Sequence, residues 1–137
     1  IDRLGRSYDY VIIDNEAGME HLSRRTTRDV DVLYVVTDPT VRGVVAANRI
    51  AGMRDELDIN IKNAYLIVNR VAGELTPALQ EAVEQVGIPL GGIIPADPQV
   101  TSMDANGQAL VNLPPDSIIV QAIESIVQQT VPAQQPS

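Results

Sequence analysis

The 137-residue chain contains no cysteine, no tryptophan and no phenylalanine, a single histidine (His21) and a single lysine (Lys62). Without cysteine there is no thiolate metal site, no disulfide and no cysteine nucleophile. One histidine rules out a multi-histidine zinc site. One lysine, with no glycine-rich run ahead of it, rules out the phosphate-binding loop G-x-x-x-x-G-K-[ST] within these residues. No apolar run approaches the length of a membrane-spanning helix. Positive charge is scarce too: the formal net charge is −8. Such a surface repels phosphate backbones and anionic lipid, so neither nucleic acid nor membrane is an expected partner.

The rest is ordinary globular composition, with 45% hydrophobic and 20% charged residues. Four short apolar runs recur: Tyr8 to Asp14, Val30 to Thr37, Ala64 to Val68, and the weaker Gly91 to Ile94. The first three are rich in β-branched residues and nearly continuous, as in strands buried on both faces of a parallel sheet. Between them lie helical patterns. Thr40 to Leu57 repeats Val41, Val44, Val45, Met53 and Leu57 near a period of 3.6. Thr76 is placed to cap a second helix, with Pro77 in its first turn, a stripe of Leu79, Ala82, Val83 and Val86, and Gly87 as its end. A last helix begins near Asp116 or Ser117 and carries Ile119, Ala122, Ile123, Ile126 and Val127. Residues 131–137 read as a loose tail. The alternation predicts an α/β fold, a mostly parallel sheet flanked by helices, whose ligands bind outside the carboxyl ends of the strands.

Four strand ends therefore carry the candidate chemistry. After the first run come Asp14 and, four residues on, Gly18. An aspartate at a strand end holds Mg²⁺ through its water shell, and a glycine lets a backbone N–H approach a phosphate; Asp14 capping a following helix explains the same residue. After the second run, Asp38 or Thr40 suits a helix cap in a structural loop. After the third, Asn69 has an amide able both to donate and to accept, as needed to read a nucleobase, and also suits a turn. After the fourth, Pro95-Ala96-Asp97-Pro98 suits a stiff pocket wall or a turn into a helix. His21 and the cluster Arg24, Arg25 and Arg28 suit a phosphate, a partner's acidic face or plain solvation.

These strings resemble a known family. Tyr8-Asp9-Tyr10-Val11-Ile12-Ile13-Asp14-Asn15-Glu16-Ala17-Gly18-Met19-Glu20-His21-Leu22 is similar to the Walker B and switch II region of the CooC-type carbon monoxide dehydrogenase maturation ATPases, in the MinD/ParA branch of P-loop NTPases. The plain MinD branch tends to show Pro where this chain has Glu16. Val30 to Arg42, Val68-Asn69-Arg70 and Ile94-Pro95-Ala96-Asp97-Pro98 follow in the family's order, so the resemblance runs from Tyr8 to about Ile126.

The resemblance implies a partial P-loop NTPase fold over residues 1–130 and a cytoplasmic ATPase. That ATPase dimerises with itself around ATP and Mg²⁺ and inserts nickel into carbon monoxide dehydrogenase. By position, Asp14 serves the Mg²⁺ shell, Gly18 contacts the γ-phosphate, Asn69 hydrogen-bonds adenine with Arg70 beside the base, and Pro95 and Asp97 line the adenine pocket. The family's phosphate loop, its lysines and its Cys-x-Cys nickel motif are not among these residues. The chain, which begins without Met, is thus expected to be the C-terminal part of such an ATPase, inactive alone, with an exposed apolar strand at Val11 to Ile13 that promotes self-association.

Two other readings remain. One is a MinD/ParA-type positioning or partition ATPase; the absence of Lys and Arg from Asp116 to Thr130 argues against a membrane-targeting helix, and the −8 charge against a DNA surface. The other is a non-catalytic α/β interaction domain.

Overall fold

The computed structural model describes residues 8–15 and 29–133. Three strands form one parallel sheet in the order β1-β2-β3: β1 (Asp29–Thr37), β2 (Asn60–Val71) and β3 (Leu90–Pro95). Helix α1 (Val41–Met53) joins β1 to β2, and α2 (Pro77–Glu84) joins β2 to β3. A short helix α3 (Pro98–Ala105), a 3₁₀ turn (Leu110–Asn112) and the final helix α4 (Ile118–Thr130) follow. The predicted α/β class and parallel sheet are present.

Strand β2 is the centre. Alternate residues Ala64, Leu66 and Val68 face α1 and α2 and join Val35, Ala47, Ala51 and Ile88 in the core; Leu66, Val68 and, on α1, Val44 are wholly buried. Ile67 points to the opposite face and is also buried, so three consecutive positions of β2 see no water. That opposite face is covered by α4. Ile126 packs directly on the backbone of Gly92, where a Cβ would lie 2.7 Å from Ile126 Cδ1. Near the end of α4, Thr130 donates from Oγ1 to the Ile126 carbonyl (2.6 Å). Its hydroxyl proton thus committed, Thr130 accepts from the Tyr34 hydroxyl on β1. Tyr34 pairs with Tyr65, whereas Gly92 pairs with Ile67, two positions farther along the strands. Helix α4 therefore runs antiparallel to the strands and starts at their carboxyl edge. Its N-cap residue, Ser117, has a buried Oγ with no partner among the described residues.

Sequence patterning misplaces several boundaries. The expected strand Tyr8 to Asp14 is not a strand: residues 8–15 are irregular and exposed, with Ile12 at 92%. β-branched residues favour a strand only where a neighbouring strand takes up their N–H and C=O groups, and this segment pairs with none of the described strands. Helix α1 ends at Met53 rather than Leu57. Gly52 weakens its last turn, and Asp55 and Asp58 lie just past the negative end of its dipole. Helix α2 stops at Glu84, before Gly87, whose N–H is drawn 3.0 Å from Asn48 Oδ1 on α1. Strand β2 is longer than its apolar stretch because its polar start is paired: Lys62 Nζ lies 2.6 Å from Asp31 Oδ1, and Asn60 Nδ2 donates to Asp29 Oδ1 at 3.1 Å. No helix among the described residues is long and apolar enough to cross a membrane.

Three outcomes follow from this packing. Leu66→Ala empties the centre of the core and lowers unfolding stability by about 2–5 kcal/mol, measured by urea titration. Gly92→Val pushes Ile126 off the sheet and costs about 1–3 kcal/mol, with loss of amide protection in α4. The hydrogen bond and charge of Asp31, aided by Asp29, raise the Lys62 ammonium above its ordinary 10.5. Since the folded state holds that proton more tightly, the pair's contribution is present throughout neutral pH and fades as pH rises past 10.5 towards the folded value. The stability difference between wild type and Lys62→Met should shrink over that alkaline range only.

Candidate functional site

All three strands are parallel, so their carboxyl ends open onto one edge. At the end of β1, Thr37 is buried and its Oγ1 donates to the Asp38 carbonyl at 3.1 Å. Of the two expected caps, Thr40 is the one that serves: its Oγ1 accepts from the Gly43 N–H at 2.9 Å and donates to Asp38 Oδ1 at 2.8 Å. Asp38 braces the cap rather than making it. Gly43 sits so close beneath this turn that a Cβ would lie 2.6 Å from Thr37 Oγ1 and 2.9 Å from Thr40 Oγ1.

At the end of β2 the pairing with β3 shifts between Val68 and Val71. Asn69 and Arg70 occupy that irregularity. Arg70 has φ +59°, the one non-glycine residue with positive φ among those described. A side chain there costs about 1–2 kcal/mol, so the surrounding structure must hold it. The turn aims the Arg70 N–H at Asn69 Oδ1, 2.9 Å away. Asn69 is half-buried and Arg70 is exposed.

At the end of β3, pairing resumes at Val71 and Pro95, and the Ala96 N–H donates to the Val71 carbonyl at 2.8 Å. Asp97 is half-buried and caps α3, with Oδ1 accepting from the Gln99 N–H at 2.9 Å and Pro98 in the first turn. The structure thus brings Asn69, Arg70, Pro95 and Asp97 to adjacent strand ends. It also spends part of the Asn69 and Asp97 acceptor capacity on their own backbone. Asp14 is not among them: it lies in the exposed irregular segment, not at a strand end. Gly18, His21, Arg24, Arg25 and Arg28 lie outside the described residues.

The lone lysine is elsewhere. Lys62 and Arg54 line a polar cavity of about 430 Å³ with Asp55, Leu57 and Asn60, at the amino end of β2. That is the opposite end of the sheet from the candidate site. Patterning by residue type missed Gly43 and the Arg70 conformation. The first is signalled only by its place three residues after a cap; the second has no signal, since Arg is not a residue expected at positive φ.

Comparison with known proteins bears on the family and the fold. An uncharacterised ATP-binding protein of Methanocaldococcus jannaschii is 37% identical over 131 residues, covering 96% of this chain and 52% of that protein. The septum site-determining protein MinD of Bacillus subtilis is 32% identical over 115 residues, covering 80% of this chain and 42% of that protein. The MinD cell division protein of Aquifex aeolicus shares the fold, with TM-score 0.74 at 24% identity over 98% of this chain and 59% of that one. The chain belongs to the MinD/ParA-like ATPase superfamily. It spans about half the length of the curated relatives it matches. No family model matches it. Within the superfamily, these likenesses do not separate the carbon monoxide dehydrogenase maturation branch from the MinD branch.

Two substitutions check the local geometry. Thr40→Ala removes the α1 cap and costs about 1 kcal/mol by chemical denaturation. Gly43→Ala places a methyl against Thr37, Asp38 and Thr40; it should destabilise by a similar or larger amount and shift the Thr37 and Asp38 amide resonances.

Proposed function

We propose that this chain forms the nucleobase end of an ATP site in a MinD/ParA-like ATPase. The observation that supports it most is the junction of β2 and β3, where the Ala96 N–H meets the Val71 carbonyl and so sets Pro95–Asp97 beside Asn69 and Arg70. Two prolines stiffen the wall, and Asn69, on the neighbouring strand, carries an amide of the kind that recognises an adenine edge. The M. jannaschii relative, named as ATP-binding, adds support for the ligand.

Binding a base leaves the triphosphate to be held. In this proposal Asp14 holds Mg²⁺ through water and Gly18 offers its N–H to the γ-phosphate. These residues contain no phosphate loop. Lys62 is engaged by Asp31 at the far end of the sheet, so it does not substitute for a phosphate-binding lysine. The loop amides and lysine that normally cradle the phosphates must come from outside this chain.

For the protein's task, we favour nickel insertion into carbon monoxide dehydrogenase, with the protein acting as a cytoplasmic homodimer around ATP. The Glu16-Ala17-Gly18 form, with Glu20-His21 after it, supports that reading. The likeness to MinD proteins supports a positioning ATPase as the second reading.

Titration of the 137-residue chain with Mg-ATP, followed by NMR, should shift the signals of Asn69, Arg70 and Ala96 in preference to those around Lys62. Shifts centred on the Lys62 end would overturn the assignment of the base end. The same chain should show neither ATP turnover nor stoichiometric nickel binding; either activity would sink the proposal that the phosphate and nickel groups lie outside it. In the intact ATPase, Asp14→Asn should lower turnover by about 10²-fold or more, as loss of a metal-holding carboxylate does. Nickel binding by that intact protein, with activation of carbon monoxide dehydrogenase, separates the first reading from the second.

A further inference from the structure

We infer that Arg70 serves the candidate nucleobase site through its backbone rather than its guanidinium, as the residue that positions the Asn69 amide. The inference rests on the base-end reading above and adds to it how the reading group is held.

Three observations carry it. Arg70 stands at φ +59°, a conformation that glycine and asparagine adopt readily and that a β-branched residue resists strongly. This conformation lies in the irregularity between Val68 and Val71, so the sheet pairing on both sides of it fixes where the turn falls. The N–H that the turn presents is bonded to Asn69 Oδ1 at 2.9 Å. The side chain contributes nothing comparable: the guanidinium is exposed and makes no hydrogen bond or ion pair among the described residues.

The consequence for recognition is specific. An unrestrained asparagine amide flips to suit either a donor or an acceptor. With Oδ1 tied to the Arg70 N–H, the amide has one orientation, offering the two Nδ2 donors and the second Oδ1 lone pair. That set complements an edge that presents one acceptor and one donor side by side, as adenine does with N7 and its 6-amino group. Guanine presents two acceptors on the same edge, so its O6 would face the Asn69 oxygen. Arg70 is thus a positioning residue for base selection, acting through the chain and not by touching the ligand.

Substitutions at position 70 separate backbone from side chain. Arg70→Gly and Arg70→Asn delete the guanidinium and keep the left-handed turn. Arg70→Val deletes it and opposes the turn, and Arg70→Thr, also branched at Cβ but smaller and polar, does so more mildly, which keeps the test open if the valine variant fails to fold. Two quantities are read on the 137-residue chain: the Asn69 side-chain amide NMR signals without nucleotide, and the affinities for ATP and GTP. The Gly and Asn variants should keep a single, well-resolved pair of Asn69 amide signals. Their ATP affinity should lie within about threefold of wild type, well inside the tenfold that corresponds to 1.4 kcal/mol.

The Val variant should lose the fixed Asn69 signals, weaken ATP binding by about tenfold or more and narrow the preference for ATP over GTP, with Thr between. Equal weakening in all four variants would assign the role to the guanidinium and overturn the inference. So would unchanged Asn69 signals in the Val and Thr variants. If ATP leaves the wild-type site unperturbed, the base-end reading falls. The nucleotide-free Asn69 signals would then still decide whether Arg70 positions that amide.

Discussion

Everything described here hangs on the double pairing of β2. Among the described residues it alone of the three strands has a neighbour on each side, and its stretch Leu66-Ile67-Val68 is buried on both faces. A slip of one residue in its register would turn Leu66 and Val68 towards α4 and Ile67 towards α1. Neither side has room for the exchange: Ile126 already lies against the Gly92 backbone, and Ala47 and Ala51 are matched to the larger side chains opposite them. The register is therefore strongly determined, and the exit of the same strand delivers Asn69 and Arg70. Core packing and site geometry are two ends of one constraint.

The carboxyl edge shows a common device at each strand end. A side chain that looks like a ligand group in the sequence is partly occupied by the protein's own backbone. Thr40 and Asp38 close the start of α1, Asn69 closes onto Arg70, and Asp97 closes the start of α3. Such local bonds reduce the rotamers that each side chain samples, so less ordering remains to be done when a ligand arrives. They also sort the candidates. Asp97 gives an oxygen to the α3 cap and shapes the wall, whereas Asn69 keeps both Nδ2 donors unengaged among the described residues.

Much of this was legible from residue types, for physical reasons. The near-continuous apolar run of β2 matches a strand buried on both faces, whereas the similar run of β1 leaves Val36 59% exposed; Thr76-Pro77 is a helix start wherever it occurs in such a pattern. Four parts were not legible. Tyr8 to Asp14 has the composition of a strand, but a strand is a relation between two segments and composition describes only one. The polar start of β2 is held by the cross-strand pairs Asp31–Lys62 and Asp29–Asn60, which no single-segment pattern reveals. Gly87 looked like a helix terminator and instead answers to Asn48, 39 residues away in sequence. At the candidate site, the positions of Asn69, Pro95 and Asp97 followed from strand order. The left-handed turn at Arg70 did not, because tertiary pairing imposes it against the residue's own preference.

The scarcity of lysine has a practical side as well. Lys62 is exposed, although its ammonium is engaged by Asp31, and it lies at the end of the sheet away from Asn69 and Pro95. The chain thus carries one amine-bearing side chain. With the N-terminal α-amine blocked, an acylating dye or a surface linker directed at it would attach at a single defined point. Molecules tethered in that way would all present the carboxyl edge of the sheet outward, in one orientation.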